Sequence, residues 1–172
     1  MVSYADIERL KAYGPHGDGW VLSVYLDVDR SKASNLKRGF ETVLQNLLRE
    51  VEQGVDERAR EEFAANRARV LRFLQGYEPR KKGLIIFSDV RHEFWWDREL
   101  PVLVPNVVRF ERTPYLRPLI EVLDEYERYG VVLIDKEKAR LFTVHLGEIE
   151  EHEAVFDDVP RRTVTTSMDR LW

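Results

Sequence analysis

The stretch that decides the fold is residues 40–75, FETVLQNLLREVEQGVDERAREEFAANRARVLRFLQ. In its first half, apolar residues recur at intervals of three and four, which is the pattern of an amphipathic helix. These residues are Phe40, Val43, Leu44, Leu47, Leu48 and Val51. Gly54 suits the end of this helix, and Asp56 can cap a second helix that runs to about Gln75. Because the link between them is short, the stretch predicts an antiparallel helical hairpin.

Strand-like segments flank this hairpin on both sides. Residues 20–29, WVLSVYLDVD, are rich in β-branched and aromatic residues and alternate in polarity, which predicts a strand with one strongly buried face. Residues 83–89, GLIIFSD, indicate a buried strand, and residues 92–100, HEFWWDREL, its hairpin partner. The extended segment 102–110 contains Pro105, and the missing N–H of proline favours an edge position for it.

The pattern changes near residue 129. A short helix over residues 3–12 begins the chain, and a helical stripe after Thr113 ends near Tyr129. Three strand-like runs follow, GVVLID, ARLFTVHLG and EIEEHEAVF. The sequence therefore predicts an α/β fold of the α+β type, with a mostly antiparallel sheet and a long helical hairpin in residues 1–128, and an incomplete β-meander of a second domain in residues 129–172.

Composition excludes several classes of site. The chain has 172 residues and a formal net charge of -4, so any contact with nucleic acid has to be local. It has no cysteine and only four histidines, which argues against disulfides and structural zinc, and we expect neither a metal nor a cofactor. No apolar run approaches the roughly 20 residues of a membrane span, so we expect a cytoplasmic protein with no membrane contact.

Two short basic clusters are candidate contacts for the phosphates of RNA. The first lies in residues 30–38, RSKASNLKR, and the second directly follows Pro79. A solvated surface explains such clusters about as well, because the chain carries 27 lysines and arginines. The candidates are Arg30, Lys32, Lys37, Arg38, Arg80, Lys81 and Lys82.

The most enzyme-like feature is Asp27-Val28-Asp29 at the end of the first strand. It is similar to the paired aspartates of haloacid dehalogenase phosphotransferases, so a metal-dependent phosphohydrolase that uses Asp27 and Asp29 is the alternative function. Those enzymes have a doubly wound parallel sheet, whereas this sequence predicts hairpins and a meander. Polar residues that mark the exit of a strand into solvent are therefore the favoured interpretation.

The order of elements resembles that of the archaeal-eukaryotic class 1 peptide chain release factor homologues, over their N-terminal domain and the start of their middle domain. WVLSVYLDVD (20–29) is similar to the first strand of that domain, and KKGLIIFSD (81–89) to the strand after its helical hairpin. TPYLRPLIEVLDEYERYGVVLIDKEKARLFTVHLGEIEE (113–151) is similar to the junction between the two domains. The resemblance implies a translation termination or ribosome-rescue factor that binds the ribosome, through tRNA or rRNA.

The family's functional motifs do not accompany this resemblance. The hairpin tip reads EQGVD (52–56) where classical members carry Asn-Ile-Lys-Ser, and the Tyr-x-Cys-x-x-x-Phe motif is excluded because there is no cysteine. The Gly-Gly-Gln loop that promotes peptidyl-tRNA hydrolysis would follow the third meander strand, and the sequence reaches Trp172 without it. We therefore expect these residues to be non-catalytic, and the resemblance leaves hydrolysis to a longer parent protein.

The meander also predicts self-association. Three strands without a covering helix expose an apolar face and a row of unpaired backbone groups. We expect a homodimer through residues 129–172, by strand pairing or by exchange of the tail. The apolar residues of that tail are Val164, Met168, Leu171 and Trp172.

Overall fold

The computed structural model describes residues 2, 4–13, 19–126, 128–134, 139–146 and 148–152. The helices are α1 (Tyr4–Ala12), α2 (Gly39–Gln53), α3 (Arg60–Gln75) and α4 (Arg117–Glu125). The strands are β1 (Val21–Asp27), β2 (Gly83–Asp89), β3 (Phe94–Leu100), β4 (Val107–Glu111), β5 (Tyr129–Ile134), β6 (Ala139–His145) and β7 (Glu148–Glu151). The chain divides into two compact units between residues 127 and 128.

The first unit is built on a four-stranded sheet in the order β3-β2-β1-β4. All three strand pairs are antiparallel. This confirms the predicted α+β class with a mostly antiparallel sheet, and β4 lies at an edge as Pro105 indicated. Antiparallel order places the end of β1 beside the start of β2, with Asp27 opposite Gly83.

The predicted helical hairpin covers one face of this sheet. Leu22, Val24 and Leu26 of β1 pack into one buried cluster with the apolar stripes of α2 and α3. The helix α2 ends at Gly54 as predicted. A 3-10 turn, Glu57–Ala59, precedes α3, and the Asp56 carboxylate caps it by accepting a 2.8 Å hydrogen bond from Arg58 N.

The opposite face of β1 is buried as well, which the sequence did not predict. Val21 through Leu26 are all buried. The segment before α4 covers this face: Tyr25 Oη donates to Tyr115 O at 2.6 Å, and Tyr115 N donates to Ser23 Oγ at 3.0 Å. Burial raises the pKa of Tyr25 above its usual value. The sequence predicts one buried face for this strand, whereas both faces are buried because the hydroxyls of Ser23 and Tyr25 are hydrogen-bonded to the Tyr115 backbone.

A polar network joins α3 to the turn between β2 and β3. Asn66 is fully buried, and its Oδ1 accepts hydrogen bonds from Ser88 Oγ at 2.8 Å and from Val90 N at 3.2 Å. Its Nδ2 donates to Glu62 O at 3.0 Å. Because Asn66 and Ser88 are both fully buried, their hydrogen bond fixes the position of α3 on the sheet.

The second unit contains the predicted meander, an antiparallel sheet in the order β5-β6-β7. Several of its apolar side chains are exposed, with Ile134 at 80% and Ile149 at 71%. Arg140 and Glu151 form a two-bond ion pair across β6 and β7, at 2.6 and 2.8 Å. The tail that carries Val164, Met168, Leu171 and Trp172 lies outside the described residues.

Candidate nucleic-acid interface

The two basic clusters lie at the same end of the first sheet. The first occupies the loop between β1 and α2, and the second the link between α3 and β2. Because β1 and β2 are antiparallel, these segments meet, and Val28 N donates to Lys82 O at 2.8 Å. The sequence showed two separate clusters, and only the strand order makes them one surface, which we call the basic end.

The β1–α2 loop is held in shape by Asn35, which is 7% exposed. Its Nδ2 donates to Asp27 O at 3.1 Å and to Asp29 O at 3.2 Å. Asp29 Oδ1 accepts a 2.9 Å bond from Ser31 N. Hydrogen bonds from the backbone and side chain of Ser31 lower the pKa of Asp29, and the charges of Lys82 and Lys32 act in the same direction. The loop therefore presents its basic residues on a defined backbone.

Asp27 and Asp29 have structural partners in this loop. Asp27 forms an ion pair with Lys32 and accepts a hydrogen bond from Asp29 N at 3.1 Å. No group of acids and histidines that could hold a metal ion is found within the described ranges. The sheet is antiparallel, which differs from the doubly wound parallel sheet of the phosphotransferases. The phosphohydrolase alternative stays a prediction, and no observation of the fold favours it.

Arg38 also has an internal role. It is the N-cap of α2 in a left-handed conformation, with φ of 57°. Its guanidinium donates to Leu74 O at 2.6 Å and to Tyr77 O at 2.9 Å, and its Nε donates to Glu41 at 2.7 Å. A planar fork of donors suits this task. Arg38 thus ties the start of α2 to the end of α3.

The remaining candidates are more accessible. Lys37, Arg80 and Lys82 are exposed, and their side chains form no hydrogen bond or ion pair within the described part of the chain. The guanidinium of Arg30 lies 4.0 Å from Glu78, and both side chains are well exposed. Lys81 is half-buried and has an interaction partner. Exposed pairs are weak, so Arg30 can leave Glu78 for a phosphate at little cost, and Lys37 has no such pair to break in the described part of the chain.

A second polar cluster, which the sequence analysis did not identify, lies at the other end of β2. Asp89 is 2% exposed and accepts hydrogen bonds from Tyr13 Oη at 2.9 Å and Arg91 N at 3.0 Å. The Nδ1 atom of His92 is 2.7 Å from the same carboxylate. Burial, and then the hydrogen bond to Asp89, raises the pKa of Tyr13. These contacts fasten the end of α1 to the β2–β3 turn.

None of the helices in the described ranges has the length and apolar character that a membrane span requires. No curated protein matches the chain. Two solved structures are similar to it over 90% of its length, each with 15% sequence identity. One is described as an archaeal protein, with a TM-score of 0.49, and the other as an archaeal translation termination factor, with a TM-score of 0.48. The matches cover 44% and 43% of those chains, so this chain spans less than half of either.

The remaining similarity is to a protein family. Residues 114–171 match the family described as bacterial archaeo-eukaryotic release factor family 10. The matched segment begins just before α4 and contains β5, β6 and β7, the strands that the structure describes in the second unit. It overlaps the segment 113–151, on which the resemblance was chiefly based. The match confirms, for residues 114–171, that this chain is similar to the archaeo-eukaryotic release factors.

Proposed function

We propose that this chain is the N-terminal domain and the start of the middle domain of a translation termination or ribosome-rescue factor homologue. The observation that carries the proposal is the family match over residues 114–171. In this proposal the chain binds the ribosome in the cytoplasm, and these residues carry out no hydrolysis. Its domains correspond to residues 1–128 and 129–172.

The surface that we propose for contact with rRNA or tRNA is the basic end. Its accessible cations are Arg30, Lys37, Arg80 and Lys82, and Lys81 lies among them. Carboxylates, among them Asp29 and Glu78, are interspersed, so the surface suits a few phosphates rather than a long duplex. Lys32 and Arg38 hold this surface in shape through their internal contacts. Their positive charges also add to its electrostatic potential.

Co-sedimentation with purified ribosomes tests the proposal. The double variant Arg30→Glu and Lys37→Glu changes the charge of the basic end and leaves the loop contacts of Asn35 and Arg38 in place. We expect it to weaken binding at least about tenfold and to reduce the dependence on salt, because each phosphate contact contributes about 0.7–0.9 to the logarithmic salt slope.

The matched control is Arg60→Glu with Arg72→Glu, an equal charge change at exposed positions of α3. Equal loss of binding in both double variants would show that the ribosome responds only to net charge. Absence of binding by the unaltered chain at 50 mM salt would contradict the proposed function itself.

We also propose that the second unit forms a homodimer through residues 129–172. The support is apolar surface: besides Ile134 and Ile149, Val132 and Leu133 are more than half exposed. Burial of apolar area contributes about 25 cal/mol per Å², so several hundred Å² can stabilise a dimer. Light scattering at micromolar concentration should give twice the monomer mass, and Ile134→Lys should return the monomer. A monomeric unaltered chain would contradict this proposal.

A further inference from the structure

The outer edge of β4 offers backbone groups to a further strand. In the described part of the chain, β4 is paired only with β1. The N–H groups of β1 alternate in direction: Val28 N points to the β2 side, where it donates to Lys82 O. Asp27 N points to the β4 side and donates to Asn106 Oδ1 at 2.8 Å. Odd-numbered residues of β1 therefore bond to β4.

The register then fixes which groups of β4 face outward. Tyr25 pairs with Val107 and Ser23 with Arg109, so these residues of β4 bond to β1. Val108 and Phe110 turn their N–H and C=O groups to the outer edge. A side-chain contact agrees with this, since Arg109 Nη1 reaches around to donate to Val108 O at 3.2 Å. The Phe110 groups and the Val108 N–H remain available for pairing.

A cleft of about 280 Å³ lies beside this edge. One wall is the Phe110 ring, which stacks on Trp20 with 5.2 Å between the ring centroids. The other wall is the end of α2 and the hairpin turn, where Val51 and Val55 line the cleft. Both valines are partly buried, and Leu47 lies one helical turn before Val51 on α2 and is partly buried as well. An added strand could therefore bury the side chains of one of its faces against these apolar residues.

The rim of the cleft favours a cationic group. Asp56 and Glu111 line it from the hairpin turn and from the end of β4. Arg109 is the one cation among the lining residues, and its guanidinium already lies over the Tyr115 ring and donates to Val108 O. The carboxylates repel phosphates, and the repeated outward N–H and C=O groups match a peptide backbone rather than a nucleic acid.

We propose that the outer edge of β4 and this cleft bind an extended peptide as a fifth strand, with apolar side chains against Val51 and Val55 and a lysine or arginine beside Asp56 and Glu111. The site lies on different residues from the basic end and goes beyond the ribosome binding proposed above. It would let the first unit hold a flexible segment of a protein partner without any rearrangement of its own sheet.

The probe is a fluorescein-labelled peptide, Lys-Lys-Val-Thr-Val-Thr-Val, titrated with the full chain and followed by fluorescence polarisation. We expect binding at least about tenfold tighter than that of the Glu-Glu-Val-Thr-Val-Thr-Val counterpart, because charge complementarity sets specificity. A version of the basic peptide that is N-methylated at alternate residues should not bind, because it cannot pair with the strand edge. Hydrogen exchange should show new protection at the Phe110 amide when the unmethylated peptide binds.

Variants of the rim separate charge from folding. Asp56→Asn with Glu111→Gln removes both charges, and the amide introduced at the cap position keeps a side-chain oxygen that can accept the capping hydrogen bond. We expect this double variant to bind the basic peptide about tenfold more weakly. The control is Glu125→Lys, an exposed change on α4 that should leave the affinity unaltered. Circular dichroism of each variant checks that the fold is retained.

Four results would overturn the proposal. Equal binding of the basic and acidic peptides would refute the role of the rim. Unimpaired binding of the N-methylated peptide would refute strand addition. Displacement of the peptide by a single-stranded RNA octamer at comparable concentration would identify the cleft as a nucleic-acid surface. A dimer that dissociates when the peptide is added would mean that a second copy of the chain occupies the edge.

Discussion

Removal of the Arg38 side chain should destabilise the first unit, although the residue was first identified as a candidate RNA contact. Its guanidinium bonds to two backbone carbonyls at the end of α3 and to Glu41 on α2. Arg38→Ala deletes these contacts and leaves a non-glycine residue at φ of 57°. The junction between the two hairpin helices therefore loses its cross-link and keeps its backbone strain.

The expected magnitude follows from these contacts. A hydrogen bond to a charged group contributes about 1.5–3 kcal/mol, but the side chain is 31% exposed, so we assign about 1 kcal/mol to each carbonyl contact. The pair with Glu41 adds about 0.5 kcal/mol. Arg38→Ala should thus lower the free energy of unfolding by about 2–3 kcal/mol. Arg38→Gly should lose about 1 kcal/mol less, because glycine adopts the left-handed conformation without strain.

Urea unfolding followed by tryptophan fluorescence measures these differences, since Trp20, Trp95 and Trp96 all belong to the first unit. Lys37→Ala is the matched control, because it removes the same charge from the neighbouring exposed position and should change stability by less than about 0.5 kcal/mol. The reasoning is refuted if Arg38→Ala is as stable as the unaltered protein, or if the alanine variant is more stable than the glycine variant.

Three further predictions concern packing, buried polar groups and pH. Gly39→Ala should lower the free energy of unfolding by about 2 kcal/mol or more, because the new Cβ would lie 2.0 Å from a backbone carbonyl oxygen of the β1–α2 loop. A Cβ at Gly76 meets nothing within 4 Å, so Gly76→Ala should be neutral or slightly stabilising in the same urea assay. Asn66→Ala should lower the free energy of unfolding by about 2–3 kcal/mol in thermal unfolding, since Ser88 Oγ in β2 and Val90 N just after it lose their acceptor. A loss below about 0.5 kcal/mol would contradict this. The hydrogen bond from Arg140 lowers the pKa of Glu151 in the folded chain. The pair therefore stabilises the β6–β7 contact fully at pH values above the pKa that this carboxyl has in the unfolded chain. The stabilisation is lost as the pH falls through the lower pKa of the folded chain. An NMR titration of the unaltered chain should show the β6–β7 contact weakening as the pH falls. If Glu151→Gln responds to acid in the same way as the unaltered chain, the prediction is refuted.

The elements and their type could be predicted from the sequence alone. The helical hairpin, the edge position of β4 and the three strands of the meander follow from local periodicity, capping residues and proline, and these act over a few residues. Resemblance to the release factors was visible for the same reason, because it rests on the order of the elements and on three short segments, of which 113–151 is the most specific. The burial of both faces of β1 was missed, since Ser23 and Tyr25 are polar in isolation and find their partners about ninety residues away.

Which residues share a surface became visible only in three dimensions. Antiparallel pairing of β1 with β2 brought the two basic clusters together at one end of the sheet. Packing of α2 against α3 gave Arg38 its internal partners, while Lys37, one position earlier, stayed exposed. The outer edge of β4 is free because β4 is the last strand of the sheet, and the cleft beside it forms where the end of α2 and the hairpin turn lie next to that strand. Local periodicity reports how each segment lies relative to the core, whereas the composition of a site depends on contacts between segments that are distant in sequence.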